Sequence, residues 1–104
     1  MTTFDDRENA YEAKFAHDAD LQFKADARRN RLLGEWAAGL LGISGEEAKT
    51  YAMSVVSSDF EEAGDDDVLR KVAVDLHGKA DEATIRAKMV ELMAVARSQI
   101  VNEA

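Results

Sequence analysis

The chain predicts an all-α fold: a four-helix bundle with a long first helix whose N-terminal part forms a mobile or projecting arm. Three observations carry this. The 104 residues include no proline, so no position removes a helical N–H or clashes with the preceding turn. Gly42, Gly64 and Gly78 each follow an apolar segment, where a left-handed residue commonly ends a helix. Apolar residues recur at helical spacing and nowhere alternate with period two over strand length, so no sheet is expected.

The first element, Thr2–Gly42, is rich in Ala, Glu, Lys, Arg and Leu, all strong helix formers. One helix of about forty residues would span roughly 60 Å at 1.5 Å per residue. That exceeds the width of so small a domain, so part of it projects or folds back. Its apolar stripe is interrupted. Phe4, Tyr11, Phe15 and Ala19 share a face, which then meets Gln22, Asp26 and Arg29 and turns apolar again at Leu33, Trp36, Ala37 and Leu40. Leu32–Leu41 therefore belongs to the core, with Trp36 in or near it, and Gly39 is expected to let another helix approach closely. Thr2–Ala19 has a stripe of its own without an evident intramolecular partner. Two readings stay open for it: a frayed terminus leaning on the bundle, or a segment that orders as a helix in a partner's groove. The division is thus 1–19 as arm and 20–104 as bundle.

The second helix opens at Ser44, with Glu47 three residues on, a capping-box pattern. Its apolar positions are Ala48, Tyr51, Ala52, Val55, Val56, Phe60 and Ala63. Asp65, Asp66 and Asp67 open a short third helix, where carboxylates suit the positive end of the dipole. Its buried face is Val68, Leu69, Val72, Ala73 and Leu76. Asp81 caps the fourth, whose stripe is Ile85, Met89, Leu92, Met93, Ala96 and Ile100.

Charge and composition exclude several functions. A net charge of −8 argues against nucleic-acid binding, which needs many cations on phosphates. No apolar run approaches the roughly 18–20 residues of a membrane span, and the N-terminus lacks a signal peptide's basic and apolar regions. With no cysteine, disulfides and thiolate metal sites drop out. A cytoplasmic protein is expected.

Candidate chemistry is sparse. Lys24, Arg28, Arg29 and Arg31 form the densest basic cluster. Lys24, Arg28 and Arg31 are helical neighbours by their spacing, and guanidinium forks suit phosphate oxygens. Trp36, seven residues after Arg29, has a place to stack a base. The same cations equally suit a solvated face pairing with Asp26 and Glu35. His17 and His77 lack a second ligand at metal spacing. The Asp65–Asp67 run lacks the alternation and glycine of a calcium loop. Gly34, Gly39, Gly42 and Gly45 are not followed by Gly-Lys-Ser/Thr, so they are no phosphate loop. No nucleophile–base pair stands out, and no catalytic role is expected.

Taken together, certain segments resemble one family across essentially the whole chain. They are Met1-Thr2-Thr3-Phe4-Asp5-Asp6-Arg7-Glu8, Glu12-Ala13-Lys14-Phe15-Ala16-His17-Asp18, Phe23-Lys24-Ala25, Ala27-Arg28-Arg29-Asn30, Leu32-Leu33-Gly34, Trp36-Ala37, Asp65-Asp66-Asp67-Val68-Leu69-Arg70-Lys71-Val72, and Ile85-Arg86 with Lys88-Met89. They resemble the zeta subunit of the alphaproteobacterial F-type ATP synthase. The specificity lies in their number and order. The resemblance implies a four-helix bundle that binds the F1 sector, at its catalytic-interface and rotor subunits, and inhibits ATP hydrolysis through its N-terminal segment. That segment corresponds to about Thr2–Ala19, with Phe4, Arg7, Tyr11, Lys14 and Phe15 as partner-binding residues. It also implies a weak regulatory ADP/ATP site and a cytoplasmic location peripheral to the inner membrane. Assigning ADP/ATP to Lys24, Arg28, Arg29 and Arg31 rests on charge and geometry alone. A nucleotide sensor and a plain adaptor bundle remain the alternatives.

Overall fold

A computed structural model describes residues 18–59 and 65–103. Those residues form four helices and no strand: α1 Ala19–Leu41, α2 Gly45–Ser58, α3 Asp66–Asp75 and α4 Glu82–Glu103. The expected arm, with Phe4, Arg7, Tyr11, Lys14 and Phe15, lies outside the described residues, as do Phe60, Ala63 and Gly64.

Helix α1 starts later than a helix continuous from Thr2 would. Asp18 is extended (φ −117°, ψ 106°) and its carboxylate accepts the Leu21 N–H at 3.1 Å. This is an N-cap that satisfies one orphan donor of the first turn, and it sets α1 at 23 residues. At the other end Gly42 is left-handed, φ 76°. The Ile43 N–H bonds Ala38 O and the Gly42 N–H bonds Gly39 O, the Schellman pattern that turns the chain into α2.

The other caps are mixed. Asp81 caps α4 as expected, accepting the Thr84 N–H at 2.8 Å. Ser44 stands at the α2 N-cap without a side-chain capping bond. The left-handed Gly45 (φ 61°) that follows gives the chain a different entry into the first turn. Asp65 precedes α3 without capping it, because its carboxylate is engaged by Arg29. Gly78 is left-handed too, but in the turn three residues beyond the end of α3.

Helix α1 is the central strut, packing along both α2 and α4. The main core gathers Leu33 and Ala37 of α1, Val55 of α2, Val68, Leu69 and Val72 of α3, Leu76, and Ile85 and Met89 of α4. A smaller cluster joins Ala25 to Ile100, with Leu21, Met93 and Val101 around it. Early α1 therefore meets late α4, and the two run antiparallel. The stripes expected for α3 and α4 are buried at Val68, Leu69, Val72, Leu76, Ile85, Met89, Ala96 and Ile100. Across the α2–α3 junction the Tyr51 hydroxyl donates to Asp75 at 2.8 Å, and Lys71 pairs with the same carboxylate.

The close helix approach falls at Gly34 and not at Gly39. A Cβ at Gly34 would stand 2.6 Å from Ala52 Cα, whereas one at Gly39 would meet nothing within 4 Å. Trp36 is half-buried against the main core, with the Lys88 ammonium 5.5 Å from its ring centroid. Trp36→Ala is expected to cost about 1.5–3 kcal/mol, below the value for a fully buried tryptophan. Denaturant unfolding measures it, and a loss under 0.5 kcal/mol, on the order of a surface substitution, would contradict the packing.

Candidate functional site

The residues of the basic cluster do not all face one way. Lys24, Arg28 and Arg31 line one open groove of about 540 Å³, together with Leu21, Phe23 and Ala27 of α1, Met53 and Val56 of α2, and Ile100 and Glu103 of α4. Arg29 is not among them. Successive helical residues are rotated by about 100°, so Arg29 turns toward the interior as its neighbours turn to the groove. Trp36 does not line the groove either, so it is not placed to stack a base held by these cations.

The groove is apolar inside and cationic at its edge. Leu21, Ala27 and Val56 are half-buried and Ile100 is buried, while Phe23 and Met53 are more than half exposed. Arg28 reaches across from α1 to α4. Its Nη1 meets Glu103 Oε1 at 2.7 Å, its Nη2 meets Glu103 Oε2 at 2.8 Å, and Nη1 also donates to Gln99 Oε1 at 2.9 Å. The Arg28 hydrogen bond holds the Glu103 carboxyl below the usual carboxylate range. In return Glu103 raises the Arg28 guanidinium further. Arg31 has a looser contact, Nε to Glu35 Oε1 at 3.7 Å. Exposed helical pairs of this kind contribute about 0.3–0.5 kcal/mol, leaving Arg31 available to another anion. Lys24 is exposed on the same rim. The arrangement suits an anion carrying an apolar or aromatic body. It holds no nucleophile–base pair, and among the described residues no group of three or more His, Cys, Asp or Glu is placed to hold a metal.

Arg29 has a structural role. Its side chain is 3% exposed and its Nη2 meets Asp65 Oδ1 at 2.8 Å. Its Nε donates to Asn30 Oδ1 at 2.8 Å, and Asn30 Nδ2 donates to Asp59 Oδ2 at 3.0 Å. Arg29 and the fully buried Asn30 thus fasten the end of α2 and the start of α3 to α1.

This cluster has opposing pH signatures. The Arg29 hydrogen bond lowers Asp65, against some burial, with the Arg29 charge adding to the lowering. Burial raises Asp26, opposed by Arg29 and Gln22 and reinforced by Asp59 and Asp65. A lowered acid contributes stability above its unfolded value, near pH 4, that is lost as pH falls through the folded value. A raised acid does the reverse, so protonating Asp26 favours the fold. Stability is expected to hold level or rise slightly from pH 7 to about 4. Below that it should fall as Asp65, Asp81 and Glu103, all lowered by hydrogen bonds, are protonated. Denaturant midpoints against pH test this, and a steady loss from neutrality downward would contradict it.

Sequence spacing points to none of Glu103, Gln99, Asp59 and Asp65 as partners of the cluster. Arg28 and Glu103 are 75 positions apart, and no local spacing rule reaches that far.

Known proteins extend this picture. The family model described as ATPase inhibitor subunit zeta matches residues 1–99. Among the solved structures, a chain determined by solution NMR is 58% identical, with a TM-score of 0.75, over 81% of this chain and 99% of its own. No curated protein matches.

Proposed function

The chain belongs to the ATPase inhibitor subunit zeta family, and from that premise we propose that it binds the F1 sector of an ATP synthase and inhibits ATP hydrolysis through residues 1–19. One observation carries the reading: the family match spans residues 1–99, which takes in the segment 1–19 as well as most of the bundle. It is a regulatory subunit and not an enzyme. The apolar stripe of Phe4, Tyr11 and Phe15, with Arg7 and Lys14 beside it, enters an interface between F1 subunits whose closure turnover requires. A helix lodged there holds one rotational state. Burying each large apolar side chain contributes about 1.5–3 kcal/mol, and ordering the arm costs about 1–2 kcal/mol per residue. The bundle, residues 20–104, therefore supplies a second contact that raises the arm's effective concentration. No helix among the described residues is long and apolar enough to cross a membrane.

ADP or ATP is the regulatory ligand of the groove, held by Lys24, Arg28 and Arg31. Exposed cations on a chain of net charge −8 capture a polyanion weakly, so the dissociation constant is nearer millimolar than nanomolar, roughly −4 to −6 kcal/mol. The groove also favours a second reading, a nucleotide sensor that leaves turnover alone.

Hydrolysis by purified F1 lacking this subunit separates the classes. An inhibitor lowers the rate at stoichiometric dose. A sensor gives saturable ADP shifts without changing the rate, and an adaptor binds F1 and does neither. An unchanged rate at a several-fold excess of bound protein would end the inhibitor reading.

A further inference from the structure

The cation best placed for a phosphate in the groove already holds an anion. Arg28 grips both oxygens of Glu103, at 2.7 and 2.8 Å, in the two-pronged geometry by which a guanidinium holds phosphate. The pair is partly open to solvent, with side chains 20% and 58% exposed. Glu103 lies in the last turn of α4, where the helix dipole disfavours a carboxylate, so Arg28 is what holds it in place. One turn back, Ile100 is buried against Ala25. That contact, with Val101 packed beside it, anchors α4 into its final turn and leaves Asn102 and Glu103 exposed beyond it.

We propose that Glu103 is a built-in competitor for the groove's anion, a gate that occupies Arg28 until a phosphate group displaces it. This rests on the reading that the groove takes ADP or ATP. The diphosphate reaches Lys24 and Arg31 first and then exchanges with the Glu103 carboxylate on Arg28. The released turn of α4 loses its tie to α1. Nucleotide binding and loosening of the α1–α4 end are then coupled, and the coupling is reciprocal: whatever frees Glu103 tightens nucleotide binding, and nucleotide frees Glu103.

The test is an ADP titration of the full chain at low ionic strength, followed by backbone amide shifts. Glu103→Gln is compared with wild type and with Glu82→Gln. The latter removes the same charge about 30 Å away along α4, at 1.5 Å per residue. Glu103→Gln is expected to bind ADP about three- to fivefold more tightly, the scale of a partly exposed ion pair, while Glu82→Gln matches wild type. In wild type, saturating ADP should speed hydrogen exchange at Val101, Asn102 and Glu103. Equal affinity in Glu103→Gln and wild type, with shifts still centred on Lys24–Arg31, overturns the gate and leaves the groove reading standing. An equal gain in Glu82→Gln reduces the effect to net charge and overturns it too. Absence of saturable groove shifts in every chain removes the groove reading and the gate with it. If Glu103→Gln frays α4 by itself, the wild-type exchange decides: ADP that leaves residues 101–103 as protected as before contradicts the gate.

Discussion

Gly34→Val is expected to destabilise the protein by about 3 kcal/mol, a large share of the 5–15 kcal/mol that holds a domain of this size. Gly34 is buried where α1 crosses α2, and an added Cβ would lie 2.6 Å from Ala52 Cα and 3.0 Å from Ala52 Cβ. The first of these is backbone, which has no rotamer to swing aside. The helices would have to separate, loosening Leu33 and Val55, both fully buried in the same core. Overpacking costs about 1–3 kcal/mol and sometimes more, and the better helix propensity of valine recovers only a few tenths. Gly39→Ala is the matched control. It faces open space and should gain up to about 1 kcal/mol from helix propensity. Thermal melts of the two variants should move in opposite directions. Two upward shifts would show that α1 and α2 do not touch at Gly34.

The second large effect separates two adjacent arginines. Arg29→Ala is expected to cost about 2–3 kcal/mol, somewhat less than breaking a fully buried ion pair, because Asp65 is 58% exposed. It also leaves the buried Asn30 without its Arg29 donor. Arg29→Met keeps the packing of the aliphatic stem and isolates the polar part of the loss. Arg28→Ala is expected to cost under about 1 kcal/mol, as a partly exposed pair does, while abolishing saturable ADP shifts in the groove. Arg29→Ala should leave those shifts in place. Denaturant unfolding and the ADP titration together check the contrast, and equal stability losses for the two would contradict the assignment of Arg29 to the interior.

The bundle was legible because its signals are local. Helical spacing placed Val68, Val72, Ile85, Met89 and Ala96 in the core, Gly42 at a turn, and Asp81 on the cap of α4. The candidate site was legible only in part. Charge and spacing brought Lys24, Arg28 and Arg31 to one groove. Arg29 was misgrouped because a buried arginine looks like a surface one until its partners are known. Its ion-pair partner, Asp65, lies beyond α2 at a separation of 36 residues. The choice of Gly39 over Gly34 failed for a similar reason. Both are glycines within one helix, and only the position of Ala52, in another element, tells them apart. Ser44 matched a capping pattern by residue type, but Gly45 after it is left-handed, and residue type alone does not reveal that.

The most direct measurement is ATP hydrolysis by F1 lacking this subunit, titrated with the full chain and with a chain lacking residues 1–19. The deletion removes the Asp18 cap and only the first residue of α1, and among the described residues the first buried core residue is Ala25, so the shortened chain is expected to keep most of its helicity and, with a cap worth about 1 kcal/mol, to melt within a few degrees of the full one. The full chain should inhibit at stoichiometric dose, and the shortened chain should lose all or most of that inhibition. Equal inhibition by both chains would place the inhibitory contact on the bundle and contradict the proposal that residues 1–19 carry it.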